Sequence, residues 1–173
     1  MHLFPVKSED FDTVYDALEE AFPREERRDR QAARHLLSHP AYSLLHVEDE
    51  GVLCGCVGLW RLPGFLFIEH LLTYPAYRNR GLGARVLGAL AEEGLPLVLE
   101  AEPPVSPMAV RRLGFYARCG FHRDKLPYLQ PPYRKEDAPT PLVLLSYPAP
   151  LTDAPAVAAA LYREVYGKEY TKA

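Results

Sequence analysis

No part of this sequence leaves less choice of fold than residues 65–102. An apolar strand pattern, Phe65–Tyr74, runs into the turn Tyr77-Arg78-Asn79-Arg80-Gly81-Leu82-Gly83-Ala84. A helix pattern over Gly81–Glu93 follows, and then a second buried-looking strand, Leu95–Glu102. Two strands joined through a helix form a βαβ unit, in which they lie parallel. The two glycines let the backbone turn tightly and bring a ligand close to bare N–H groups. The helix begins with unpaired N–H donors and a partial charge of about +0.5. With Arg78 and Arg80 alongside, this turn is a site for a phosphate or pyrophosphate.

The flanking sequence supplies the rest of the fold. A first strand at about Leu3–Lys7 leads to Ser8, an N-cap for a helix that runs to about Phe22. Phe11, Val14, Tyr15, Leu18 and Phe22 form one apolar stripe on it, and Pro23 ends it. A second, charge-dense helix spans Arg24–Ser38. Tyr42–Val47 and Val52–Leu62 read as a hairpin around Glu48–Gly51. Ser106-Pro107 starts a helix that stops at Cys119-Gly120. Arg123–Pro139 reads as a long loop, Leu142–Tyr147 as a strand, and Thr152-Asp153 as the cap of a last helix to about Tyr166. The order β-α-α-β-β-β-α-β-α-β-β-α predicts an α/β (α+β) sandwich with a mixed sheet in a single domain over residues 1–173.

Composition removes several function classes. A net charge of −3 gives no general pull toward nucleic acid or an anionic membrane. The apolar runs fall short of a membrane span and the N-terminus lacks a signal-peptide layout, so the chain reads as cytoplasmic. Cys54, Cys56 and Cys119 make no disulfide framework and read as packing residues. His35 and His39 have metal-ligand spacing, but no third ligand accompanies them, so no metal is expected.

Arg78-x-x-Gly81-x-Gly83 between strand and helix, followed by Tyr116 four positions before Gly120-Phe121, resembles the GNAT superfamily of acetyl-CoA-dependent N-acetyltransferases. The resemblance covers roughly Tyr42 to Phe121. It implies a mostly antiparallel mixed sheet with helices on both faces and a central βαβ unit that binds CoA. It implies donor contacts from Leu71, Leu72, Thr73, Arg78, Asn79, Arg80, Gly81, Leu82, Gly83 and Ala84. It also implies that the strand matching Phe65–Tyr74 splays from its parallel neighbour to admit the pantetheine arm, that an N–H near Leu72 meets the oxyanion, and that Tyr116 protonates the departing thiolate. Ala109 and Arg112 stand where the family usually has Asn and Ala, which removes one common CoA contact; Thr73 replaces a valine.

The chemistry needs a base, because an amine is mostly protonated at neutral pH and a positioned base adds ~10²–10⁴ in rate. Glu69, alone among Phe65, Leu66, Phe67, Ile68, Leu71 and Leu72, fits that role, and burial there predicts a raised pKa. The same residue equally fits an ion pair with a neighbouring arginine or a sheet-edge cap. His70 alternates to the other face and reads as core. Glu100 and Glu102 are either a cationic acceptor's partners or solvated strand-end charges. Tyr133, in the loop Tyr128–Arg134, is either acceptor wall or loop stiffening. The expected activity is acetyl transfer from acetyl-CoA to a primary amine of a small molecule or peptide. A non-catalytic acyl-CoA sensor or scaffold is the alternative. The C-terminal strand and helix, Leu142–Tyr166, offer a face for a homodimer.

Overall fold

The computed structural model describes residues 1–170. The chain is mixed α/β, with mostly antiparallel strand pairing, and its residues group into two units. The first comprises Met1–Arg61 and Ile68–Gly94; the second comprises Leu62–Phe67 and the residues from 95 onward.

In the first unit, β1 (His2–Pro5) pairs antiparallel with β2 (Tyr42–Asp49), and β2 with β3 (Val52–Leu62). Glu50 and Gly51 close this hairpin at φ 52° and 78°, the left-handed values that a two-residue turn requires. β4 (Phe65–Thr73) lies next to β3, and Tyr74 N–H donates to the Cys54 carbonyl at 2.9 Å. The approach is tight at Gly55, where a Cβ would overlap the Leu72 carbonyl oxygen. Glycine is the residue that admits another backbone so close.

Helix α1 (Phe11–Ala21) buries the predicted stripe, Phe11, Val14, Tyr15 and Leu18, with Val6, Leu44, Cys56 and Leu72. Each such side chain contributes about 1.5–3 kcal/mol by leaving water. The helix starts later than Ser8: Asp10 is its N-cap residue and makes no side-chain cap bond.

The predicted Arg24–Ser38 helix is a correction. Only Arg24–Glu26 turns as a 3₁₀ helix, the chain then extends, and α2 covers Arg30–Leu36. Asp29 stops the longer helix because its carboxylate accepts from Ala32 N–H at 2.8 Å and caps α2 instead. The extended stretch is held from outside: Tyr15 Oη donates to the Arg28 carbonyl at 2.8 Å, and Arg27 Nη1 donates to Tyr15 Oη at 2.8 Å.

In the second unit, Leu66 N–H, at the start of β4, donates to the Pro96 carbonyl at 2.8 Å, just before β5 (Leu97–Ala101). β5 pairs antiparallel with β8 (Thr140–Tyr147), which also takes β6 (His122–Arg123) and β7 (Tyr128–Gln130). The expected loop Arg123–Pro139 thus begins on the last residue of β6 and contains β7. Tyr128 and Gln130 are buried and Leu129 is exposed, a period of two too short to stand out among prolines. Leu97, Val98 and Leu99 are all buried, as are Ala158 and Leu161 of α5 (Ala154–Glu164), which Asp153 caps by accepting from Ala156 N–H at 3.0 Å.

Candidate active site

The glycine turn has the backbone that its sequence implies. After a 3₁₀ turn at Pro75–Tyr77, Arg78 is extended and its Nε donates to the Thr73 carbonyl at 3.3 Å. Asn79 and Gly81 then adopt left-handed φ values of 62° and 73°. Gly81 caps α3 (Leu82–Ala91), whose first internal bond runs from Arg85 N–H to the Gly81 carbonyl. The N–H groups of Leu82, Gly83 and Ala84 therefore precede any intrahelical partner. A Cβ on Gly81 would meet nothing within 4 Å, so the approach to these donors is open.

Leu82, Val86, Leu87 and Leu90 are buried and fix the helix beneath the turn. Arg78, Asn79 and Arg80 are exposed, and the Arg80 guanidinium lies 5.5 Å from the centre of the Tyr77 ring. Arg85 is committed elsewhere, to Asp49 at 2.6 and 2.8 Å. Of the other predicted donor contacts, Leu72 is buried and Leu71 and Thr73 are half-buried at the end of β4.

Glu69 sits in a polar nest within the first unit. Its side chain is 2% exposed, with Arg28 Nη1 on Oε1 and Trp60 Nε1 donating to Oε2 at 3.1 Å. The Arg28 guanidinium also lies 5.7 Å from the Trp60 ring centre. Burial pushes the Glu69 carboxyl up, but Arg28 opposite, His70 and the bonds from Arg28 and Trp60 outweigh it and leave the group below its ordinary value. The expected upward shift is thus reversed, because the apolar residues around Glu69 in sequence are not the groups that touch it.

His70 is buried, donates through Nε2 to the Glu26 carbonyl at 3.0 Å, and packs edge-on to Phe22. Burial pulls it below its ordinary value, against the effects of Glu69 and the Glu26 carbonyl. A cavity of about 20 Å³ bordered by Glu69, His70, Arg28, Tyr15 and Tyr42 has room for one water.

Tyr116 belongs to the second unit, on α4 (Pro107–Arg118). Ser106 caps that helix by accepting from Ala109 N–H at 3.0 Å, and Gly120 at φ 84° lets Phe121 N–H donate back to the Tyr116 carbonyl. The Phe121 ring lies 5.6 Å from that of Tyr116. Burial pushes the Tyr116 phenol up to about 12, against a smaller opposite effect of Arg112. It therefore keeps its proton throughout the neutral range.

The two carboxylates expected to share a strand face are separated. β5 ends at Ala101, and Glu102 beyond it pairs with Arg112 at 3.4 Å. Glu100 accepts from Tyr128 Oη and, at 2.6 Å, from Tyr166 Oη. Gln130 Nε2 in turn donates to Tyr166 Oη at 3.0 Å, and the Tyr133 ring lies 5.4 Å from that of Tyr166.

Sequence reasoning missed Arg28 and Trp60 at Glu69, and Tyr128, Gln130 and Tyr166 at Glu100. Only Trp60 gave a signal, as the sole tryptophan in a strand pattern. Among the described residues no group of three or more His, Cys, Asp or Glu side chains is placed to hold a metal, and no helix is long and apolar enough to cross a membrane.

The sequence model of the acetyltransferase (GNAT) family matches residues 11–121. A comparison with curated proteins found no match. Among solved structures, a GNAT-family protein from Bacteroides thetaiotaomicron is 32% identical, superposes with a TM-score of 0.91, and is aligned over 98% of this chain and 100% of its own. An aminoglycoside 6′-N-acetyltransferase complexed with coenzyme A shares the fold at 15% identity, TM-score 0.59, over 88% of this chain and 100% of its own. A ribosomal-protein-alanine N-acetyltransferase from Brucella melitensis does so at 14% identity, TM-score 0.60, over 84% and 98%.

Proposed function

Because the chain belongs to the GNAT acetyltransferase family, we propose that it moves an acetyl group from acetyl-CoA to a primary amine by direct attack. The observation that carries this is the left-handed, uncovered Gly81 at the head of α3. Its neighbouring N–H donors and two exposed arginines fit a pyrophosphate and little else of that size and charge.

Each residue then has a chemical role. The N–H groups of Leu82, Gly83 and Ala84, with Arg78 and Arg80, hold the donor's pyrophosphate, and the end of β4 at Leu71–Thr73 receives its thioester arm. Glu69, directly or through a water, accepts the proton that the acceptor ammonium must lose. The free amine attacks the thioester carbonyl carbon, and an N–H near Leu72 meets the charge that develops on its oxygen. As the carbon–sulfur bond breaks, Tyr116 delivers a proton to the leaving thiolate, and the second proton that the acylated nitrogen sheds restores the phenol, directly or through water.

Two substitutions test the donor half. Gly81→Trp puts a bulky side chain over the turn at a backbone angle that disfavours any Cβ. Calorimetric titration with acetyl-CoA should show micromolar binding by the parent and none by the variant. A variant that binds like the parent would remove this turn from the donor site, and a parent that does not bind would end the enzyme reading. Tyr116→Phe should bind acetyl-CoA normally and turn over about tenfold to a hundredfold more slowly, as loss of a positioned acid predicts. Unchanged turnover, measured by thiol release, would assign the proton to water.

A further inference from the structure

Positive charge is unevenly spread along this chain. The net charge is −3, yet residues 111–125 hold Arg111, Arg112, Arg118, Arg123 and Lys125 against one carboxylate, Asp124. Arg112 faces Glu102, and Asp124 accepts from Leu126 N–H at 2.7 Å. The side chains of Arg118 and Arg123 make no ion pair or hydrogen bond with any described residue.

Those two arginines border one hollow. Between α4 and the β6 and β8 strands runs a groove of about 360 Å³, a volume typical of small-molecule sites. Buried Phe121 and Leu145 form its floor, and Val110, Leu113 and Ala117 form its α4 wall. Arg123 opens onto it, and Arg118 Nη1 lies 3.4 Å from the point that a Cβ on Gly114, another lining residue, would occupy. Among the described residues that line the groove, Arg123 alone has a polar side chain.

Shape and charge select the occupant. An extended peptide laid here needs partners for its N–H and C=O groups, and hydrocarbon walls supply none. An alkyl chain needs none and gains by leaving water. The arginines at the rim complement an anion, and a guanidinium matches a carboxylate through two parallel hydrogen bonds. From Val110 to Ala117 the helix advances about 10 Å, enough for an alkyl chain of medium length.

We propose that the groove between α4 and β6 is a binding site for a single-chain aliphatic carboxylate, its alkyl chain on Phe121 and Leu145 and its head on Arg118 and Arg123. The site lies within the second unit and depends on neither the donor turn nor Glu69. Phe121 also packs on Tyr116, so the ligand sits one side chain away from the proposed acid.

The test titrates isotopically labelled protein with octanoate, short enough to stay dissolved as monomers, and follows each backbone amide by NMR. Saturable shifts at Gly114, Ala117, Phe121 and Arg123 are expected, with acetate and uncharged octanol each binding more weakly by about tenfold or more. The exposed pair Arg118→Gln and Arg123→Gln together should weaken octanoate by about tenfold, and Ala117→Trp, which fills the groove, should abolish binding. Absence of saturable shifts overturns the proposal. So does octanol binding as tightly as octanoate, an unchanged affinity in the arginine double variant, or retained binding in a folded Ala117→Trp. Shifts confined to Leu71–Thr73 and Gly81–Ala84 would place octanoate at the donor turn and overturn it too. Groove amides that move with protein concentration alone would mean that a second copy covers the site, and tighter binding of a peptide of alternating Leu and Glu would mean that a protein does; either overturns it. Acetyl-CoA binding is measured separately, and its absence bears on the enzyme reading alone.

Discussion

Glu69→Gln should lower turnover by about 10²–10⁴-fold while leaving acetyl-CoA affinity unchanged. The amide keeps the shape of the side chain and can still accept from Trp60, but it takes up no proton. Calorimetry checks the donor half and thiol release checks the rate; turnover within a factor of about three of the parent would exclude Glu69 as base. Stability should fall by about 3 kcal/mol, because Arg28 is then buried opposite a neutral group.

The parent's pH dependence follows from the direction of the Glu69 shift. Its folded carboxyl titrates below the ordinary value of 4.5, so the stability it contributes is present above that value and lost as pH falls through the folded value. The acid limb of kcat/KM should therefore lie below pH 4.5. Around neutrality the rate should instead follow the ionisation of the acceptor amine. A further inflection near pH 6 that does not move with the acceptor's own pKa would mean that the ion pair does not persist in solution.

The second large effect is on folding. Gly55→Ala places a methyl group where the Leu72 carbonyl oxygen lies, and that oxygen belongs to the backbone of the neighbouring strand. No side chain can swing aside, so strand must move from strand. About 3 kcal/mol is expected, the upper end for forcing atoms into packed space. For a chain of this length that is a Tm lower by roughly 6–12 °C. Gly51→Ala gives the contrast: its Cβ meets nothing, so the cost is only that of a left-handed backbone. Equal losses from the two would mean that β3 and β4 are not packed as described.

What was legible in the sequence is what short stretches of chain decide for themselves. The α1 stripe, the Glu50-Gly51 turn, the Gly81 turn and the Ser106 cap depend on residues within a few positions of one another, and each formed as its local pattern implies. The strap at residues 24–29 did not, because the Tyr15 hydroxyl of α1 and the His70 imidazole of β4 bond its carbonyls and keep it out of the helix that its charges suit. The partners of the candidate site residues were equally hidden. Arg28 is 41 positions from Glu69, and Tyr166 is 66 from Glu100. No period or spacing links such pairs; only the folded sheet brings them together. Burial of Glu69 was foreseeable, whereas the sign of its shift depended on an arginine in a segment whose form was misjudged.

The bond between Trp60 and Glu69 has an optical consequence. Trp60 is the only tryptophan in the chain and is 1% exposed, so the protein's indole emission comes from one environment, shielded from water. That indole donates to the carboxylate and lies beside the guanidinium that the carboxylate pairs with. Protonation of Glu69, withdrawal of Arg28 and arrival of an amine would each change the electric field at the ring. The chain thus carries its own fluorescent reporter, placed against the carboxylate proposed as the base.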